Sequence, residues 1–393
     1  MLFAKFSFME EWKLTKIGSL CKKVCSGGTP KSTVEEYYGG GIPWLNTKEV
    51  NFNRIYSTES TISETGLSNS SAKWIDKHSV IVAMYGATAA KCAIGMIPMT
   101  TNQACCNLMI NEDLADYRFV YYALTNAYST LASLANGGAQ QNLNAQLIKD
   151  FEIPLPDLRT QHRIADILST IDDKIENNIR INHNLLNLAQ ELFNNSFVKN
   201  SCCSDTCRAA SLLDIAEYLN GLAMQKYPAT DGEVGIPVLK IKELGQQACD
   251  ANSDKCSESI PAQYVVNDGD IIFSWSGTLL VDFWCGGICG LNQHLFKVSS
   301  DKFPNWFVYF WTKHHLDRFI RIAKDKAVTM GHIKRGDLGK AEVIIPEASQ
   351  MGELDEEIRP LISEYIDRRV ENRKLRNLRD SLLPFLMLGI VTL

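Results

Sequence analysis

IADILSTIDDKIENNIRINHNLLNLAQEL, residues 164–192, sets Ile164, Leu168, Ile171, Ile175, Asn178, Asn182, Leu185, Ala189 and Leu192 at alternating steps of four and three. Such steps keep one narrow apolar stripe along a helix, the a/d seam of a coiled coil. The stripe returns 190 residues later as Leu354, Ile358, Leu361, Tyr365, Arg368, Asn372, Leu375, Arg379 and Leu382. Two seams in one chain can pair with each other, so two long helices forming an antiparallel coiled coil are expected; the alternative is that each packs on its own domain. Asn182 and Asn372 on the seam would favour one register at some cost in stability. Pro154, Pro156 and Pro346 stand just ahead of the helices, where proline breaks no helical hydrogen bond. Pro360 lies inside the second helix and is expected to kink it or delay its start.

The rest of the chain also matches itself. A shift of 190 brings Ile81 onto Ile271, Thr88 onto Thr278, Asn102–Gln103 onto Asn292–Gln293 and Pro156 onto Pro346. A shift of 194 brings Gly41–Pro43 onto Gly235–Pro237 and Lys48–Glu49 onto Lys242–Glu243, so an indel of four residues (194 − 190) separates the blocks. Short β-rich runs such as Val80–Met84 and Ile271–Trp275, set among Gly, Asn and Ser clusters and some helical stretches, read as an α+β domain in each repeat. The expected fold is α+β, with two globular domains separated by the two long helices and related by an internal pseudo-twofold repeat. The first domain covers 1–157, a central spacer helix 158–199, the second domain 200–347 with a short linker at 200–207, and a second spacer helix 348–393.

Composition narrows the class. At 393 residues the chain exceeds one core of usual size. Its 45% hydrophobic and 22% charged residues exclude a disordered, collagen-like or disulfide-scaffold protein. A net charge of −5 excludes a uniformly basic nucleic-acid binder, while local basic patches remain compatible with it. The start, MLFAKFSFMEEWKL, reaches Glu10 and Glu11 before a signal-peptide core could form, and no long apolar run follows; a cytoplasmic protein with no membrane association is expected. Most cysteines, Cys92, Cys105 and Cys106 among them, lie in apolar runs where a free thiol acts as a small hydrophobe, so disulfides are not implied.

No phosphate-binding loop, dinucleotide fingerprint, H-E-x-x-H or Asn-Pro-Pro-aromatic motif occurs. Pro156-Asp157 followed by Asp172-x-Lys174 resembles the PD…(D/E)xK pattern in which two acids hold Mg²⁺ for a nuclease. Asp172 and Lys174 fall between seam residues Ile171 and Ile175, so a helix face is the better reading and a nuclease the lesser. Cys202, Cys203 and Cys207 form a cluster without zinc-site spacing, as do the pairs Cys21/Cys25 and Cys285/Cys289. Neither a catalytic constellation nor a metal site is expected. From Arg359 to Arg379 seven basic residues face three acids, which reads either as a solvated helix face or as a strip for phosphate or a partner. Polar and basic loops with aromatics recur in both domains: Lys31, Ser32, Tyr85, Lys91, Gln140, Gln141 and Asn142, then Gln225, Lys226, Trp275, Lys326, His332, Lys334 and Arg335. Because Gln and Asn can pair bidentately with adenine, and Arg or Lys with guanine, these are candidate DNA contacts.

Four segments occur in order over nearly the whole chain. They are Gly27-Gly28-Thr29-Pro30 followed by Gly41-Ile42-Pro43-Trp44, QHRIADILSTIDDKI (161–175), NGLAMQKY (220–227) with GIPVLKIKEL (235–244), and LRDSLLPFLMLGI (378–390). Through them the chain resembles the DNA specificity (S) subunits of type I restriction-modification systems. The resemblance implies a non-catalytic subunit with two target recognition domains, each reading one half of an asymmetric bipartite site in double-stranded DNA. It makes the helices a ruler for the gap between the halves. It further implies docking of two methyltransferase subunits and two restriction/translocase subunits; S-adenosylmethionine, ATP and Mg²⁺ would belong to those partners, and no cofactor to this chain. The second repeat lacks the GGTP opening and has Met351 and Leu354 where the first has Gln161 and Ile164, so partner contacts on the two sides are not expected to match. The competing reading is a coiled-coil adaptor that joins two partners without nucleic acid.

Overall fold

Both seams lie on unbroken helices. In the computed structural model, which describes residues 12–136, 143–199, 207–325 and 332–390, the first long helix runs Leu158–Phe193 and the second Ala348–Met387. Asp157 starts the first: its carboxylate accepts the Thr160 N–H at 3.1 Å and the Thr160 hydroxyl at 2.7 Å, satisfying a donor that the first turn leaves open. Pro360 does not delay the second helix, which begins at Ala348. Proline costs that turn one backbone hydrogen bond, and the buried side chains of Ile358 and Ile362 hold it from either side.

The chain divides into two compact units, residues 1–173 with 377–393, and residues 174–376. Within each, the long helices pair antiparallel. In the first unit Ile164, Ala165 and Leu168 share a core with Leu383, Leu386 and Met387, and Arg379 donates to Asp172 at 2.8 Å. In the second, Leu185, Leu192 and Phe193 pack with Leu354, Ile358 and Ile362. There Asn178 Nδ2 donates to Asn372 Oδ1 at 2.9 Å, and Asn372 Nδ2 to the Ile175 carbonyl at 3.3 Å. The polar layer of the seam is therefore Asn178 with Asn372, and Asn182 is not the partner expected from the repeat. Paired residues sum to 550 or 551 (178 + 372, 172 + 379), whereas 182 + 372 is 554, about one helical turn out of register. Asn182 is buried, and its Oδ1 finds no hydrogen-bond partner among the described residues.

The first unit holds a five-stranded sheet in the order Cys21–Ser26, Cys105–Ile110, Val80–Ala83, Cys92–Gly95, Asn53–Ile55. A four-stranded sheet runs Ser60–Ile62, Tyr38–Leu45, Met99–Thr101, Trp74–Ile75. The Val80–Ala83 strand is apolar throughout because both its faces are covered. Val80 and Val82 pack toward the helix Tyr117–Asn126, while Ile81 and Ala83 join Leu45 and Met99. The second unit repeats this with Glu217–Asn220, Leu295–Ser299, Ile271–Ser274 and Leu280–Phe283 in one sheet, and Lys255–Cys256, Ile236–Leu239, Cys289–Leu291 and Val265–Val266 in the other. A two-stranded ladder leads into each long helix: Lys13–Lys16 with Glu152–Leu155, and Arg208–Ser211 with Glu342–Ile345.

The registers repeat with the sequence. The parallel pairs Trp44↔Thr100 and Leu45↔Thr101 return as Val238↔Gly290 and Leu239↔Leu291, offsets of 194 on one strand and 190 on the other. One match moves. Val82↔Cys106 returns as Phe273↔Phe296, so the strand before the aromatic loop is offset by 191 (273 − 82) and not by 190. Trp275 is therefore the counterpart of Met84 rather than of Tyr85: the Met84 N–H donates to the Ala104 carbonyl as the Trp275 N–H does to that of His294. A slip of one residue turns alternate side chains to opposite faces, which leaves Tyr85 exposed and Trp275 half-buried.

Candidate nucleic-acid interface

In the first unit three loops converge. Gly27 and Gly28 bring the first loop against the strand end Met99–Thr101: the Gly28 N–H donates to the Thr101 carbonyl at 2.8 Å, and the Trp44 indole N–H to the Gly28 carbonyl at 2.9 Å. A side chain on Gly27 would meet the Thr101 carbonyl oxygen at 2.2 Å, so only glycine allows this approach. The loop then presents Thr29, Lys31 and Ser32 to solvent. Gln103 joins it to the second loop, since the Thr29 hydroxyl bonds its side-chain oxygen and the Tyr85 hydroxyl donates to its carbonyl at 3.3 Å. Lys91 points elsewhere: its ammonium donates to Asn51 at 2.7 Å and lies over the Phe52 ring. Gln140, Gln141 and Asn142 lie outside the described residues.

The second unit builds the same corner with other side chains. Gly221 takes the place of Gly27, its N–H donating to the Leu295 carbonyl at 3.0 Å as that of Gly27 does to Cys105 at 3.3 Å. A Cβ on Gly221 would meet the Asn292 carbonyl at 2.2 Å. The opening that lacks GGTP thus keeps the one glycine the geometry needs. Gln225 and Lys226 are exposed where the first unit has Lys31 and Ser32. A cavity of about 370 Å³ lies between Gln225, Lys240, Lys242, Asn292, Gln293 and His294. Trp275 flanks it, with its indole N–H on Asn220 at 2.9 Å and its ring beside those of His294 and His332. Lys334 caps the short helix Arg335–Leu338, and Arg335 is exposed beside the Tyr218 carbonyl at 3.5 Å. Lys326 lies outside the described residues.

Sequence reading missed Gln103, Gln293 and His294. Asn102–Gln103 and Asn292–Gln293 were visible as a match between repeats, which marked the repeat and not the surface. The basic strip Arg359–Arg379 turns inward in part: Arg369 pairs with Asp282, Arg373 with Asp268 and Arg379 with Asp172, whereas Arg359 and Arg368 pair along their own helix with Asp355 and Glu364, and Lys374 and Arg376 are exposed. In the first unit other pairs join domain to helix: Arg118 with Asp166 and Asp116 with His162, with Gln161 accepting the Asp116 N–H.

The nuclease-like residues have separate structural partners. Asp157 caps its helix, Asp172 accepts from Tyr122 at 2.6 Å and from Arg379, and Lys174 pairs with Glu371 at 3.3 Å. Fifteen helical steps (172 − 157) part the two acids, roughly 22 Å at 1.5 Å each, too far for one Mg²⁺. Among the described residues no group of three or more His, Cys, Asp or Glu is placed to hold a metal ion, and no helix is long and apolar enough to cross a membrane. Nine cysteines are free thiols, whereas Cys207 is disulfide-bonded, against expectation; Cys202 and Cys203 lie outside the described residues.

A model of the type I restriction modification DNA specificity domain matches residues 9–186. The MjaIX specificity subunit of a type I restriction enzyme from Methanocaldococcus jannaschii is 28% identical, over 99% of this chain and 98% of its own. Over its whole length, then, this chain is similar to a type I restriction enzyme specificity subunit. The EcoR124I/EcoR124II specificity subunit of Escherichia coli is 29% identical over 41% of each chain. The fold is also that of the crystallised type I restriction-modification S subunit from M. genitalium, with a TM-score of 0.61 at 17% identity over 98% of both chains. The two α+β domains with their long helices are thus a fold shared with that S subunit.

Proposed function

We propose that this chain is a specificity subunit that reads a bipartite site in double-stranded DNA, each recognition domain presenting its three-loop corner to one half. The observation that carries this is one corner built twice on the same backbone hydrogen bonds with different side chains: Thr29, Tyr85 and Gln103 in one unit, Gln225, Trp275, Gln293 and His294 in the other. A shared frame with exchanged polar and aromatic groups suits two different base sequences. The low overall charge is compatible with partners that share the phosphate contacts.

In this reading the paired helices set the unread gap and the chain itself is non-catalytic. Methyltransferase subunits supply S-adenosylmethionine, and restriction/translocase subunits supply ATP and Mg²⁺ chemistry. Leu378 and Phe385, seven residues apart on one helix face, and Leu388 just past the helix end support docking there, for they stand 49%, 50% and 52% exposed. The test is methylome sequencing of a host expressing this chain with a cognate methyltransferase subunit, against a host lacking the chain. A bipartite methylated motif that vanishes without the chain is expected. No motif in either host, with the complex shown to form, would replace this reading with the adaptor.

A further inference from the structure

Gln103 and Gln293 stand at the second position of the same tight turn. The Cys105 N–H donates to the Asn102 carbonyl at 3.2 Å and the Leu295 N–H to the Asn292 carbonyl at 3.0 Å, while the N–H groups of Asn102 and Asn292 reach back to Leu45 and Leu239. One backbone frame thus places both side chains, and what differs is how each amide is held. In the first unit the Gln103 oxygen is bonded by the Thr29 hydroxyl, and Ala104 is the next residue. In the second unit His294 stands at that next position, and its Nε2 lies 3.3 Å from Gln293 Nε2.

That contact orients the amide. An amide nitrogen can only donate, so His294 Nε2 carries the lone pair and the ring proton sits on Nδ1, which donates to the Ser276 hydroxyl oxygen at 3.1 Å. Ser276 is buried, and the imidazole is braced by the Trp275 ring, 5.8 Å away between centroids, whose own indole N–H is fixed on Asn220. With one N–H spent on His294, Gln293 keeps its carbonyl oxygen and its second N–H, an acceptor beside a donor, on the wall of the cavity that it lines with Gln225, Lys240 and Asn292. In the major groove only adenine offers the reverse pair, an accepting N7 beside a donating N6 amino group. Guanine turns two acceptors, N7 and O6, toward the Gln293 oxygen; cytosine offers a donor alone, and thymine an acceptor alone.

We propose that Gln293 is the specificity-determining residue for an adenine in the half-site of the second domain, with His294 as its positioning residue. The inference rests on the reading of the corner as a DNA interface and adds to it the base and the group that selects it. Gln103, held by its oxygen, keeps both N–H groups for a ligand, so the same turn serves a different base edge in the first half-site.

The experiment uses the full chain assembled with its cognate methyltransferase subunit and sequences the duplexes that the complex retains from a pool randomised across both half-sites. The wild-type complex should retain adenine at one position of one half-site. Q293E offers acceptors alone, so cytosine should replace adenine there by about five-fold or more, with the other half-site unchanged. H294A should lose the adenine preference and keep the other half-site, and H294Q, whose carbonyl can accept the same N–H, should restore it. Circular dichroism checks each fold, and H294A carries the test if Q293E does not fold. A wild-type pool without sequence preference would overturn the DNA reading and this inference with it. A bipartite preference that Q293E leaves intact, or that it changes at a base other than adenine, would overturn the choice of Gln293 alone; an adenine preference that survives in H294A would overturn the role of His294.

Discussion

Gly27 and Gly221 hold equivalent places, and each lets one loop lie against a carbonyl that any side chain would strike. Gly27→Ala and Gly221→Ala should each destabilise the chain by about 1–3 kcal/mol through forced backbone movement, read as a lower urea midpoint. Gln103 and Gln293 are expected to matter for recognition more than for folding, because Gln103 is exposed and Gln293 only half-buried. Gln103→Ala and Gln293→Ala should each relax one half-site, by about 1–3 kcal/mol of discrimination, measured by methylation of a substituted-site library; relaxation of both halves by one substitution would count against separate reading. Asp116 gives an acid-side signature. Burial raises its carboxyl, but hydrogen bonds from Arg118 and His162 outweigh that and hold it below its ordinary 3.8. Since the folded value is the lower one, its stabilisation is complete above pH 3.8 and is lost as pH falls through the depressed value. Asp116→Asn should therefore flatten the fall in stability on the acid side, as followed by denaturation at a series of pH values. Of these residues the sequence marked Gly27 as part of a motif, whereas Asp116 became important only when folding brought His162 and Arg118 to it from 46 and 2 residues away.

The helices were legible as elements, since the four-three spacing of Ile164 to Leu192 is a local signal that survives folding. Their partner residues were less so. Repeat copies and pairing partners are different relations in an antiparallel pair, which is why Asn372 meets Asn178 and not its own copy, Asn182. Arg368, which stands where the first helix has Asn178, donates to Asn178 at 2.9 Å, yet its Nε has no partner among the described residues. The strand before the aromatic loop shows the same limit, as an apolar run fits two registers equally until its neighbours fix one. Asp172 and Arg379, 11% and 19% exposed at the side chain, are the charged pair of the first unit's seam. Asp172→Ala should cost about 3 kcal/mol by leaving that largely buried arginine with only the exposed Asp380 as its acid. Thermal denaturation checks this, and an unchanged midpoint would mean that water already screens the pair.

At the scale of the whole chain, the repeat and the alternation of domain and helix could be read from sequence because they rest on matches along half its length. The inward pairing of Arg369 and Arg373 could not, as the acids that receive them, Asp282 and Asp268, lie far back in the second domain. If the helices measure the gap, removing seven residues from each at matched places should shorten it by about 10 Å, or about three base pairs at 3.4 Å each, leaving both half-site sequences intact. Methylome sequencing would show this, and an unchanged gap would sink the ruler. Exchange of 208–347 for another recognition domain should alter one half-site only. That exchange also has a price in charge. Asp282 with Arg369 and Asp268 with Arg373 straddle the junction between domain and helix, while the first domain is clamped by a different set, Arg118 with Asp166 and Asp116 with His162. A recombination break at residue 347 would import a new reading surface and strand two arginines. Lineages that shuffle specificity should therefore inherit a domain together with its stretch of helix, so that the heritable cassette is larger than the surface that meets the bases.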